Sequence, residues 1–278
     1  MRDPLISTED LAGLLKEPEL RLVDGSWFMD GRDARAAWRE SHIPGAVFFD
    51  IDAVSDTAST LPHMLPTPEA FARAVGDLGI AETDHIVVYD QQGVHSAARV
   101  WWTFRVMGAL QVQVLDGGLP KWRAEGRPLK SGSAAVTPAL FQARRRPALV
   151  RDFQQVGLEL EVGDQVLDAR SAARFNGEAS EPRAGLKSGH MPGARNLPFG
   201  EVLNADGTMK SPEALAPVFA AAGIDPARPV TTTCGSGVTA AILALALARL
   251  GQDTAAVYDG SWAEWGSRSD AEVVTGPT

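Results

Sequence analysis

The second half of this chain repeats the first, and no other feature constrains its fold so strongly. LVDGSW, with Asp24, recurs as VLDARS, with Asp168, 144 residues on. HIPGA from His42 recurs as HMPGA from His190 after 148 residues, and GVHSAA from Gly93 as GVTAAI from Gly237 after 144. DGGLPKW from Asp116 returns as DGSWAEW from Asp259 after 143. Four matches in one order at a nearly constant offset identify a tandem duplication with small loop insertions, so one fold must serve both halves.

Within the first half, the apolar runs LRLVD, AVFFD, HIVVYD and QVQVLD alternate with helix-patterned stretches around Pro68–Leu78 and Ser96–Met107. QVLD, ARNLP, PVTTT and AAVYD repeat the pattern in the second half. Strand and helix in regular alternation predict an α/β fold, with each copy a parallel sheet covered by helices on both faces. A length of 278 residues accommodates two domains of ordinary size, and 45% apolar residues suffice for their cores. Between the copies, RPLKSGSAAVTPALFQARRRPALV, from Arg127 to Val150, is rich in proline, serine and basic residues and lacks periodicity. The expected organisation is a first domain over 1–128, a linker over 129–149 and a second domain over 150–278.

A formal charge of −9 argues against nucleic acid as a partner, because a phosphate backbone needs a basic face. It leaves room for a small anion held by local arginines. No apolar run approaches the roughly 18 to 20 residues of a membrane span, and MRDPLISTEDLAGLL carries acids where a signal peptide needs its apolar stretch. A soluble, cytoplasmic protein without membrane association is therefore expected. That setting suits the single cysteine, Cys234, which cannot close an internal disulfide. Five scattered histidines and one cysteine give no metal-ligand spacing, and neither a metal nor another cofactor is expected.

Aligned on the GV dipeptide, CGSGVTA in the second copy lies opposite DQQGVHS in the first, so Cys234 faces Asp90. Cys234 ends an apolar strand and precedes a helix. There, unsatisfied first-turn N–H groups would stabilise a thiolate, the nucleophilic form of the side chain. Gly235 and Gly237 lack a Cβ, which lets the backbone of Gly235, Gly237, Val238 and Thr239 curl around a bound anion. The plain alternative is a buried cysteine acting as a small hydrophobe. In open α/β sheets ligands bind beyond the carboxyl ends of the strands, where both loops fall, so a site at Cys234 could draw side chains from the first half.

The tandem α/β copies, HIPGA and HMPGA, DGG and DGSW, and CGSGVTA in the second copy alone together resemble the two-domain rhodanese sulfurtransferases over nearly the whole chain. Within that family CGSGVTA is similar to the loop of the branch that uses 3-mercaptopyruvate, as are FFDID (Phe48–Asp52) and LPHMLP (Leu61–Pro66). The resemblance implies that Cys234 takes sulfur from 3-mercaptopyruvate as a persulfide, releases pyruvate, and passes the sulfur to a thiol such as thioredoxin or a small thiol, or to another acceptor. It implies a catalytic triad of Ser236, His63 and Asp52, which either protonates the leaving enolate or deprotonates the incoming thiol. It assigns Arg174 and Arg183 to the substrate's carboxylate and carbonyl, a task suited to the planar guanidinium.

Each assignment has a plainer counterpart. Ser236 is also an ordinary turn residue, His63 could simply pack or cap, and the two arginines could form surface ion pairs with Glu178 or Glu181. Arg170, Lys187 and Arg195 are read as structural. His42 and His190 recur in both copies and are read as holding the turn before each Pro-Gly, and His95 receives no role. Trp101, Trp102, Trp122, Trp262 and Trp265 are read as packing. Three other functions compete with this reading. A cysteine phosphatase needs an arginine where this loop has Ala240. A noncatalytic sulfur carrier or binding module would not need the full set of Asp52, His63, Arg174 and Arg183. Thiosulfate is the runner-up donor, a dianion for which the loop offers no basic side chain.

Overall fold

The duplication is carried through to the order of the strands. In the computed structural model, which describes residues 3–133 and 135–277, the first half builds β1 (Leu5–Ile6), α1 (Thr8–Leu14), β2 (Leu20–Asp24), α2 (Ala34–Glu40), β3 (Val47–Phe48), α3 (Pro68–Asp77), β4 (His85–Tyr89), α4 (Ser96–Val106), β5 (Gln111–Leu115) and α5 (Gly118–Ala124). The second half builds β6 (Val150–Arg151), α6 (Phe153–Glu161), β7 (Gln165–Asp168), α7 (Ala172–Phe175), β8 (Arg195–Asn196), α8 (Pro212–Ala221), β9 (Val230–Thr233), α9 (Ala240–Arg249), β10 (Ala256–Tyr258) and α10 (Ser261–Trp265). The sheets run β1-β5-β4-β2-β3 and β6-β10-β9-β7-β8, the same order in each copy, and every pairing is parallel.

Both faces of each sheet are covered, which explains why the strands read as continuous apolar runs. In the first unit, Leu22, Val87, Tyr89 and Leu115 pack with Leu11 of α1 and with Leu119 and Trp122 of α5. The opposite face meets α3 and α4 through Phe49, Phe71 and Phe104. In the second unit, Val166 and Tyr258 pack with Val156 of α6 and with Trp262 and Trp265 of α10. α3 and α8 start alike: Thr67 and Ser211 cap the helix by accepting from the N–H groups of Ala70 and Ala214, and a proline follows each cap.

The paired histidines serve the fold. His42 Nδ1 lies 2.8 Å from the Trp38 carbonyl and its ring stacks on Trp38, while His190 Nδ1 lies 2.9 Å from the Phe175 carbonyl and its ring stacks on Phe175. Each also forms an antiparallel bridge, His42 with Lys130 and His190 with Val274.

The stretch expected as a linker departs from that expectation. The first unit continues to Arg146 and the second begins at Pro147. Phe141 is buried against Phe71 and Phe104. Backbone N–H groups of Ala139, Arg144 and Arg146 donate to Gly76, Met107 and Val106 at 2.9, 2.8 and 2.7 Å. Residues 129–146 thus spend one aromatic side chain and several hydrogen bonds on the first unit, and such a segment is no free tether. Ala134 in this stretch, and Met1, Arg2 and Thr278 at the domain ends, lie outside the described residues. The two units also exchange short segments: Ser59–Met64 belongs to the second, and Ala205–Met209 to the first. Among the described residues no helix is long and apolar enough to cross a membrane.

Candidate active site

Cys234 follows directly on β9, whose four residues are all buried, and the loop from Cys234 to Thr239 leads into α9. The thiol-bearing residue is 2% exposed and Ser236 is 6% exposed. The carbonyls of Cys234 and Gly235 accept from the N–H groups of Trp262 and Ala263, each at 2.9 Å, which ties this edge of the loop to the start of α10. Gly237 has φ +76°, a left-handed conformation that a Cβ would disfavour. At the start of α9 the Thr239 side chain makes no capping bond. Of the first-turn N–H groups, that of Ile242 donates to the Thr239 carbonyl at 3.1 Å.

The corresponding loop of the first copy shows what such a loop holds. The Asp90 carboxylate accepts from the backbone N–H of Gln92 at 2.8 Å through Oδ1, and from those of His95 and Ala97 at 2.7 and 2.8 Å through Oδ2. The Asp90 carbonyl accepts from Leu119 at 2.9 Å, as the Cys234 carbonyl accepts from Trp262. Asp90 thus fills an anion cradle with its own side chain. In the sequence the positions that match Gln92, His95 and Ala97 are Ser236, Thr239 and Ala241. A persulfide on a cysteine would carry its terminal sulfur as many bonds beyond Cβ as an aspartate carries its oxygens.

Arg174 reaches this loop. A Cβ built on Gly235 would stand 3.1 Å from Arg174 Nη2, so the guanidinium lies directly over the residue after the cysteine. Its Nε and Nη2 donate to the two oxygens of Glu181, at 3.1 and 2.5 Å. Glu181, expected from the sequence as a surface ion-pair partner, has a side chain that is only 2% exposed. Its Oε1 also accepts from Arg170 Nη1 at 2.8 Å. Arg170 is wholly buried, bonds both oxygens of Asp168 and the Gly189 carbonyl, and lies 4.1 Å above the Trp262 ring. A line of alternating charge, Asp168, Arg170, Glu181, Arg174, runs from the end of β7 to the cysteine loop.

Arg183 is half-buried, with Nη2 3.4 Å from His63 Nε2. His63 comes from the first half of the sequence but belongs to the second compact unit. Asp52 belongs to the first, where its carboxylate accepts from the Trp27 indole N–H at 3.1 Å. The structure therefore brings Arg174 to the cysteine loop and Arg183 to His63, and it places Asp52 in the other unit.

Among the described non-glycine residues, His63 at φ +60° and Ser261 at φ +48° alone have positive φ. Residues held in that region concentrate at functional sites. Ser261 is fully buried; its hydroxyl donates to the Tyr258 carbonyl at 2.7 Å and lies 3.4 Å from the Cys234 N–H. It was overlooked in the sequence, although its counterpart in the first copy, Gly118, is a visible difference. Lys187 caps the Arg268 and Ala271 carbonyls, and Arg195 packs over Gly223. Among the described residues no cluster of three His, Cys, Asp or Glu could hold a metal ion.

Comparison with known proteins places the chain among similar ones. The family model of the rhodanese-like domain matches residues 7–125 and 153–268. The human 3-mercaptopyruvate sulfurtransferase is 43% identical over 279 residues, covering 97% of this chain and 94% of its own. The bovine thiosulfate sulfurtransferase is likewise 43% identical, over 278 residues, covering 97% and 94%. The crystal structure of the 3-mercaptopyruvate sulfotransferase SseA from Escherichia coli superposes with a TM-score of 0.86 at 38% identity, covering 94% of this chain and 99% of that one.

Proposed function

The chain belongs to the rhodanese family as a tandem of two rhodanese-like domains, and on that footing we propose that it is a sulfurtransferase whose donor is 3-mercaptopyruvate. The observation that carries this reading is Arg174, held over Gly235 beside the one cysteine of the chain. A guanidinium there can receive the carboxylate of a small keto acid whose sulfur faces the nucleophile.

In the first half-reaction the Cys234 thiolate attacks the substrate's sulfur. An S–S bond forms, the carbon–sulfur bond breaks, and its electron pair passes to carbon as the enolate of pyruvate. Protonation of that carbon releases pyruvate and leaves a persulfide on Cys234. In the second, an acceptor thiolate attacks the outer sulfur and Cys234 departs as thiolate, a ping-pong cycle with one residue in both transfers. The N–H groups of Ser236, Thr239 and Ala241 hold the anionic persulfide, as their counterparts hold the Asp90 carboxylate. Gly235, Gly237 and Val238 complete the curve of the loop. Arg174 and Arg183 bind the carboxylate and carbonyl, which polarises the ketone and stabilises the enolate. Ser236, with His63 and Asp52, carries the proton. The acceptor is thioredoxin or a small thiol, and a cytoplasmic setting keeps Cys234 reduced.

The deciding experiment follows pyruvate release from 3-mercaptopyruvate with a thiol acceptor, beside thiosulfate with cyanide, using Cys234→Ser as control. Pyruvate formation lost in the variant is the expected result. Turnover of thiosulfate alone would move the chain to the activity named for the bovine relative, and turnover of neither would leave a sulfur carrier.

A further inference from the structure

Glu181 is the residue to which the line of charge in the second unit converges. Its carboxylate is buried, and it accepts from Arg170 on one side and from both Nε and Nη2 of Arg174 on the other. A guanidinium held along its Nε–Nη2 edge cannot rotate about its last bonds, and it has the two Nη1 N–H groups and the second Nη2 N–H left for a ligand. Arg170 is anchored in turn by Asp168, by the Gly189 carbonyl and by the Trp262 ring beneath it. Each link is buried or half-buried, so solvent does little to screen it.

The first copy shows that the fold does not need this line. Asp24 stands where Asp168 does and bonds the N–H two residues on, as Asp168 does, at 3.0 and 2.9 Å. Yet Ser26 replaces Arg170 there, and Leu119 replaces Trp262. The turn is common to both copies. The cation and the ring under it occur only beside the nucleophile.

We infer that Glu181 is a positioning residue for substrate recognition: buttressed by Arg170, it fixes Arg174 over the cysteine loop in the one orientation that receives the carboxylate of the donor. This rests on the reading of Arg174 as the carboxylate-binding residue. Because Glu181 acts through Arg174 and not on Cys234, its loss weakens recognition and spares the chemistry.

The test is steady-state kinetics with 3-mercaptopyruvate for Glu181→Gln, Glu181→Asp, Arg174→Gln and the double variant Glu181→Gln/Arg174→Gln, together with the rate at which iodoacetamide, a neutral reagent, alkylates Cys234. Glu181→Gln is expected to raise KM about tenfold or more, with kcat and the alkylation rate within about threefold of wild type. The double variant should be no worse than Arg174→Gln. Glu181→Asp keeps the charge but shortens the reach, so it raises KM in a folded protein even where the glutamine variant is unstable. Unchanged KM in both Glu181 variants, alongside a raised KM in Arg174→Gln, overturns the inference. A uniform fall in kcat and alkylation overturns it too, because that marks a merely structural role. Unchanged KM in Arg174→Gln overturns the reading of Arg174 and the inference with it.

Discussion

The backbone N–H of Ala97 donates to the Asp90 carboxylate at 2.8 Å, and in the second copy the same two places are held by Ala241 and Cys234. The copy without a thiol has kept the cradle and supplied its own anion. Cys234→Asp should therefore give an inert protein that melts above Cys234→Ala. Each charge-assisted bond contributes about 1.5–3 kcal/mol and burial of the carboxylate offsets much of it, so the net gain is about 1–2 kcal/mol, or about 2–8 °C. Thermal melts of the two variants decide the matter, and a lower Tm for the aspartate would show that the second loop is no cradle.

Gly235→Ala introduces a Cβ 3.1 Å from Arg174 Nη2. That approach is tight for carbon against nitrogen, and the residue's own backbone lies outside the left-handed region. The guanidinium must give way while the loop survives. KM for 3-mercaptopyruvate should rise about three- to tenfold with stability within about 1 kcal/mol of wild type. Kinetics identical to wild type would place the substrate elsewhere.

Ser261 holds φ +48° where the first copy has Gly118 at φ +55°. Glycine would relieve about 1 kcal/mol of backbone strain, so Ser261→Gly should be as stable as wild type. It would also remove the hydroxyl behind the Cys234 N–H. A fall in kcat of about tenfold is expected, and an unchanged kcat would reduce Ser261 to a packing residue.

Asp24 has the carboxylate of Asp168 without its arginine. Burial raises its pKa from 3.8 to about 6, against the hydrogen bonds from Ser26 and Gln91 that favour the ionised form. A carboxyl that is easier to protonate when folded stabilises the protein below the unfolded value, and that contribution is lost as pH rises through about 6. The difference corresponds to about 3 kcal/mol. Asp24→Asn should escape that loss, being more stable than wild type at pH 7 by up to about 3 kcal/mol and converging with it near pH 4. Urea titrations across this range would show it, and parallel pH profiles would contradict it.

Much of this architecture was legible because the chain states it twice. The DGG and DGSW motifs, the HIPGA and HMPGA turns and the GV loops locate equivalent points, and two parallel sheets of identical order follow from them. The run containing Phe141 reads as a linker because its composition is polar, and one phenylalanine fixed by Phe71 and Phe104 has no period to betray it. Cys234, Arg174 and Arg183 stand in motifs visible in the sequence, CGSGVTA, DARSAARF and EPRAG. The burial of Glu181 between Arg170 and Arg174 is not carried by the letters EPRAG, and Ser261 stands out only when its φ is known.

The exchange of Ser59–Met64 for Ala205–Met209 has a consequence for any division of the chain. A repeat cut out at Pro147 would take Cys234, Arg174 and Arg183 with it and leave His63 behind, encoded in the first half. Each half of the sequence encodes a segment that belongs to the other unit, so neither half carries its own unit in full.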